Sequence, residues 1–309
     1  MNVVTSQPVD KYISVVKHDS AMVDRPLDQD EDLRKQVEEW KKTMDQKPQD
    51  AYLDPVWKAT PGYNGWVIDV EETLNNMEKT GKEGKEQIVW REVEPNVKLE
   101  SLGAHPIYRG NQSKPVVSFM VNVAWGNKEL GQILDILDKE GVKTTFFLDG
   151  SWVKKYPELA KEIANRGHEI GNHAYSHPDM SKLGPGAIRM QIGKTQSVIE
   201  KTTGIKPTLF APPSGSFNQS TVDIAHAEFK MKTILWTADT VDWRNPPVDQ
   251  MVERIRTRIG NGTLILMHPT ESSAVGLKQM LQMAKQRGLT PTTVSEVLST
   301  RRLDQPPGN

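Results

Sequence analysis

Residues 114–150, KPVVSFMVNVAWGNKELGQILDILDKEGVKTTFFLDG, decide how this chain is read. The apolar run Val116–Val123 is a strand, the segment around QILDILDKEG is an amphipathic helix, and residues 144–148 are a second strand. A strand, a crossover helix and another strand make the repeating unit of a parallel α/β fold. The alternation persists almost to the end. Further strands are expected at Glu169–Asn172, residues 208–211, residues 233–237 and Thr263–Met267, with helices between them and one more after Ser273. Six such strands fit an irregular (β/α) barrel better than a doubly wound sheet.

The residues before this domain have a different texture. Residues 1–26 include Pro8 and Pro26 and read as an extended arm. Residues 27–113 read as a small α+β module. It comprises a charged helix over 28–47 with a narrow stripe of Leu33, Val37 and Trp40, a turn at 61–65, and a strand at 66–68. A helix opened by Asp69 and Glu72 as a capping box and a strand at 87–93 complete it. Trp57, Tyr63 and Trp66 either pack in its core and turns or form an exposed face for sugars. The barrel domain is expected over 114–300, with a polar tail over 301–309.

Composition narrows the function. A chain of 309 residues, 36% of them hydrophobic, can fill one large core and a smaller one. Lys and Arg number 39 against 40 Asp and Glu, a net charge of -1, so there is no basic excess to hold a nucleic-acid backbone. The lack of cysteine excludes disulfides, thiolate zinc ligands and a cysteine nucleophile. No stretch approaches the roughly 18 apolar residues of a membrane span, and residues 1–16 hold no basic region followed by an apolar run. The chain reads as cytoplasmic, or as exported with its targeting segment outside these residues.

In a parallel barrel, functional groups gather at the carboxyl ends of the strands. The third strand runs into GNHAYSHPDM, where His173 and His177 stand four apart and can reach one metal; a metal-free, hydrogen-bonded turn is the other reading. The sixth runs into LILMHPT and delivers His268. The fifth runs into WTADTVDW with Asp239 and Asp242. In the fourth, FAPPSGSFN, Pro212, Pro213 and Gly215 fix a tight loop. Imidazoles and carboxylates on separate strand ends are costly to bury unpaired, so one shared site is expected. Asp149 and Asp179 read as caps or turn residues, and His105, His168 and His226 as surface or packing residues.

The succession SFMVNVAWG, GVKTTFFLDG, GHEIGNHAYSHPDM, FAPPSGSFN, WTADTVDW and LILMHPT resembles the NodB homology domain of polysaccharide deacetylases, the fourth carbohydrate esterase family. The likeness covers about residues 114–300. With PIYRG before the first strand, the chain looks most like the sporulation-associated deacetylase-like proteins of spore-forming bacilli. The resemblance implies a NodB-type barrel and a zinc-dependent N-deacetylation, in which the metal polarises the acetamide carbonyl and acidifies a water. His173 and His177 match the histidine ligands, and His268 matches the acid that protonates the leaving amine. Asp239 matches the fourth-motif aspartate, near enough to keep His268 protonated. Leu266 matches the residue that receives the acetyl methyl group, and Pro213, Ser214 and Trp243 belong to the groove.

Three family residues are replaced. The first motif, TFDDG in active relatives, falls on residues 120–124, so Asn122 stands for the general base and Val123 for the carboxylate metal ligand. Ala211 stands for the third-motif arginine. An amide cannot take a proton from water near neutral pH. Losing a positioned base costs roughly a hundred- to ten-thousand-fold in rate. Two imidazoles without a carboxylate hold zinc weakly.

The resemblance therefore implies a polysaccharide deacetylase-family protein that is inactive or strongly impaired, its metal site weak or vacant. One alternative keeps slow hydrolysis through His268; the other is a pseudoenzyme that binds glycan or a protein partner in cell-wall or spore assembly. The implied ligand is an N-acetylglucosamine polymer, peptidoglycan ahead of chitin, which points to the cell wall or spore envelope outside the cytoplasm.

Overall fold

The computed structural model describes residues 27–308; the arm expected over 1–26 lies outside them. The described residues fall into two compact units. One draws on residues 27–46, Trp66–Arg91 and residues 306–308, the other on Lys47–Gly65 and Glu92–Gln305. The module expected over 27–113 is therefore divided. Its segments 47–65 and 92–113 belong to the unit that carries the barrel.

In the first unit, the helix Leu27–Met44 buries Leu33 and Val37, with Trp40 half-buried beside them. It packs on the helix Val70–Thr80. Asp69 opens that second helix by accepting from the N–H of Glu72, and Gly81 closes it in the left-handed conformation at φ 67°. Ile68 and Met77 complete this small core. Strands β1 (Tyr52–Asp54) and β2 (Lys58–Thr60), which belong to the second unit, pair antiparallel, and β3 (Gly65–Ile68) pairs with β4 (Trp90–Val93). Tyr63 is 1% exposed, donates its hydroxyl to Asp304 at 2.8 Å and lies under the guanidinium of Arg302. It is a packing residue and not part of a sugar-binding face.

The second unit is built on an eight-stranded sheet. Its strands are β5 (Val116–Val123), β6 (Thr145–Leu148), β7 (Glu169–Asn172), β8 (Leu209–Phe210), β9 (Lys232–Thr233), β10 (Ala238–Asp239), β11 (Thr263–Met267) and β12 (Thr290–Pro291). The order is β10-β11-β5-β6-β7-β8-β9, with β12 also on β5, and every pairing is parallel. The α/β reading holds, with one departure: the strand expected over 233–237 is two short pieces, β9 and β10, on opposite edges of the sheet. The curled sheet is thus a half-barrel with a seam. Residues 107–109 fill it, Ile107 bridging Ile234 in parallel and Arg109 bridging Thr263. The N–H of Ile107 donates to Thr233 O and its carbonyl accepts from Leu235. Backbone groups that an open edge would leave bare are satisfied in this way.

All eight residues of β5 are buried. Successive side chains on a strand point to opposite faces. Val117, Phe119, Val121 and Val123 accordingly join the cluster under the helices, against Leu130 and Leu134 of Asn127–Lys139 and Leu277 and Leu281 of Glu271–Gln286. Val116 and Met120 face inward with Phe147, Leu209, Ile234 and Leu264. The same alternation turns Asn122 toward the inside of the half-barrel. Just before the strand, Lys114 is fully buried and donates to the carbonyls and side chains of Glu296 and Ser299, fastening β5 to the helix Val294–Leu298.

Candidate functional site

A cleft of about 360 Å³ opens at the carboxyl ends of these strands, lined by Asn122, Trp125, His177, Ser214, Trp236, Asp239, Trp243, Leu266 and His268. Most of the residues singled out in the sequence thus meet in one place. His173 lies buried behind the cleft, and Val123, Ala211 and Pro213 are buried residues that do not line it. His105 and His226 line a separate hollow that shares none of these residues.

The HAYSH loop is held from below. Asn172 Oδ1 accepts from Ala174 N at 2.9 Å, and Gln191 Oε1 accepts from the N–H groups of Tyr175 and Ser176. These bonds sustain left-handed backbone at Ala174 (φ 60°) and His177 (φ 53°), conformations that non-glycine residues rarely adopt. His173 Nδ1 lies 2.7 Å from the carbonyl of Ala211. A carbonyl only accepts, so Nδ1 carries the proton and Nε2 presents its lone pair. Burial pushes the ring's pKa down to about 3, so this imidazole is neutral. The two rings stand 5.3 Å apart at 71°.

His268 is fixed by Asp242. Its Nδ1 lies 2.8 Å from Asp242 Oδ1, its backbone N–H donates to Oδ2 at 2.6 Å, and Ser273 Oγ donates to the same Oδ2. Asp242 is fully buried, and three donors satisfy it. The carboxylate placed near His268 by the sequence reading was Asp239. Asp239 lines the cleft instead, accepting from Val241 N at 2.8 Å.

Trp125, which the sequence reading passed over, stacks on His268 with centroids 5.6 Å apart and planes at 10°, while 44% of it stays exposed. Its position depends on Gly126, at φ 84°, where an added Cβ would fall 2.0 Å from Pro269 O. Trp243, 53% exposed and carrying Arg244 over its ring, lines the same cleft. Ser214 (φ 55°) and Gly215 (φ 66°) make the tight turn expected after β8, and Gly215 lies against Trp236.

Asn122 is 3% exposed, and its Oδ1 has no protein partner. Such an orphan costs about 1–3 kcal/mol. Val123 packs under the helices, and its carbonyl accepts from Asp149 N. Asp149 is the N-cap that the sequence suggested, accepting from Trp152 N at 3.0 Å; Asp179 likewise caps Met180–Lys182. Set against a three-ligand metal centre, the residues do not fit. Val123 offers no donor atom, and among the described residues no group of three or more His, Asp or Glu is arranged to hold a metal ion.

The sequence profile of the polysaccharide deacetylase family matches residues 109–232. The uncharacterised protein YlxY of Bacillus subtilis is 46% identical over 293 residues, 94% of this chain and 90% of that protein. The structure of BA3943 from Bacillus anthracis, a pseudoenzyme of the fourth carbohydrate esterase family, superposes with a TM-score of 0.81 at 43% identity, covering 88% of this chain and 96% of its own. A BA3943 mutant with restored enzymatic activity gives 0.80 at 42%, over 88% and 99%. A peptidoglycan-N-acetylglucosamine deacetylase of Bacillus cereus is 33% identical over 176 residues, 55% of this chain and 64% of that enzyme. With its parallel half-barrel and its histidine-bearing strand ends, the chain belongs to the polysaccharide deacetylase family.

Proposed function

We propose that this protein binds the glycan of peptidoglycan in the cleft and has lost most or all of the power to hydrolyse its N-acetyl groups. The observation that carries the reading is the pair at the end of β5: a neutral amide, Asn122, faces the cleft, and an apolar residue, Val123, packs in the core. In family terms these are the positions of the base and of the carboxylate ligand. A cleft with no carboxylate at either position lacks the base that the family places there to take a proton from water, and its two imidazoles alone hold zinc weakly. The proton donor is better preserved, since His268 keeps a buried carboxylate on Nδ1 and turns its other nitrogen elsewhere. Asp239 has no arginine to serve, because Ala211 fills that position.

What remains suits binding. Trp125 and Trp243 are exposed indoles at one cleft, and apolar sugar faces stack on such rings. The relationship to a peptidoglycan-N-acetylglucosamine deacetylase supports peptidoglycan as the ligand and the cell wall or spore envelope as the place of action. No helix of the described residues is long and apolar enough to cross a membrane.

Acetate release from peptidoglycan, measured beside co-sedimentation with insoluble peptidoglycan, tests this reading. The native chain is expected to sediment with the polymer and to release acetate no faster than His173→Ala. A native rate well above that of His173→Ala would show metal-dependent hydrolysis and overturn it.

A further inference from the structure

The cleft does not end at Trp125. A second hollow of about 420 Å³ shares that residue with the cleft and is otherwise lined by Ala124, Gly126, Asn127, Ser151, Trp152, Lys155 and Tyr156. One exposed indole therefore lines two neighbouring hollows. The two differ in charge. The cleft presents Asp239 beside His268 and His177. The second hollow presents Lys155, exposed, with its ammonium 5.2 Å over the ring of Tyr156. Among the described residues, no carboxylate lies within ion-pair reach of it, whereas nearby Lys161 is paired with Glu158. Asn127 Oδ1 is engaged by Trp152 Nε1 at 2.6 Å, which leaves its amide N–H groups as donors toward a ligand.

We infer that this second hollow is a saccharide subsite for an acid-bearing sugar, with Lys155 as the cation that receives its carboxylate. The inference rests on the glycan-binding reading above and sharpens it. In peptidoglycan, neutral N-acetylglucosamine alternates with N-acetylmuramic acid, whose lactyl carboxyl is amide-linked to a stem peptide and is a free carboxylate where that peptide has been removed. A neutral unit seated beside His268 places its acidic neighbour across Trp125, beside Lys155. Chitin offers no carboxylate there. Lys155 thus distinguishes the peptide-free glycan from chitin, two polymers that the stacking surfaces of the cleft would accept alike.

Isothermal titration of the full chain with three probes tests this: a tetrasaccharide of alternating N-acetylglucosamine and N-acetylmuramic acid, its methyl ester at both lactyl groups, and chitotetraose. The native chain is expected to bind the free acid about two- to fivefold more tightly than either neutral ligand, the range that an exposed ion pair supplies. High salt is expected to shrink the preference. Lys155→Ala is expected to erase it, so that acid and ester bind alike, and Lys155→Glu to reverse it. Equal binding of acid and ester by the native chain, or an intact preference in Lys155→Ala, would overturn the subsite while leaving glycan binding in place. Failure to bind any of the three would sink the glycan-binding reading and the subsite with it.

Discussion

Asp242 grips His268 with both of its oxygens, Oδ1 on the ring nitrogen at 2.8 Å and Oδ2 on the backbone N–H at 2.6 Å. Ser273 adds a third donor to a carboxylate that has no exposed surface. Removing it strands three donors in a buried place. Asp242→Ala is expected to lower unfolding free energy by about 2–4 kcal/mol in denaturant titration, and Asp239→Ala by less than about 1 kcal/mol. Equal costs for the two would mean that Asp242 is not the residue that fixes the ring.

The contrast between these aspartates marks where the sequence stops being legible. β5 and β11 are readable because each is a wholly buried apolar run. β8, β9 and β10 are two residues long, and what makes them strands is their neighbours' pairing, which no local pattern records. Asp239 and Asp242 stand three apart at one strand end and are chemically identical. The register of β10 sets Asp239 opposite Leu266, and a left-handed turn at Val241 (φ 55°) carries the chain on to Asp242 and His268. A β-branched residue seldom adopts that conformation, so the motif match favoured the wrong partner. Trp125 was missed although its signal was present: a large aromatic at a strand end, followed by a glycine that opens a helix. The divided N-terminal module escaped notice because residues 92–113 include Ile107, whose partner Ile234 is far away in the chain.

Gly126 supplies the next prediction. An alanine there meets Pro269 O at 2.0 Å with φ at 84°, and neither the carbonyl nor the backbone can yield cheaply. Gly126→Ala is expected to cost about 1–3 kcal/mol of stability and to weaken peptidoglycan binding by displacing Trp125 from His268. Trp125→Ala is expected to weaken binding at little cost to stability. Unchanged sedimentation in both variants would remove Trp125 from the binding surface.

His168 makes stability depend on pH. It is 2% exposed and lies against Phe146; its Nδ1 accepts from Thr144 N, and burial pushes its pKa down to about 4 from the ordinary 6.5. Below 6.5 the unfolded chain takes up a proton that the folded ring refuses until about 4. The stabilisation is therefore complete above 6.5 and is lost as pH falls through that window. It amounts to something on the order of 3 kcal/mol. His168→Gln is expected to show a smaller loss of stability than the native chain between pH 6.5 and 4 in denaturant titrations. Parallel curves would place the acid sensitivity elsewhere.

The proposed loss of two carboxylates at the end of β5 is tested most directly by metal content and acetate release in the double variant Asn122→Asp, Val123→Asp beside the native chain, both purified and exposed to the same zinc. The native chain is expected to retain well under one equivalent of zinc and to release little acetate. The double variant is expected to retain close to one equivalent, to be stabilised by it, and to release acetate measurably faster. Stoichiometric zinc with equal acetate release in the native chain would contradict the account.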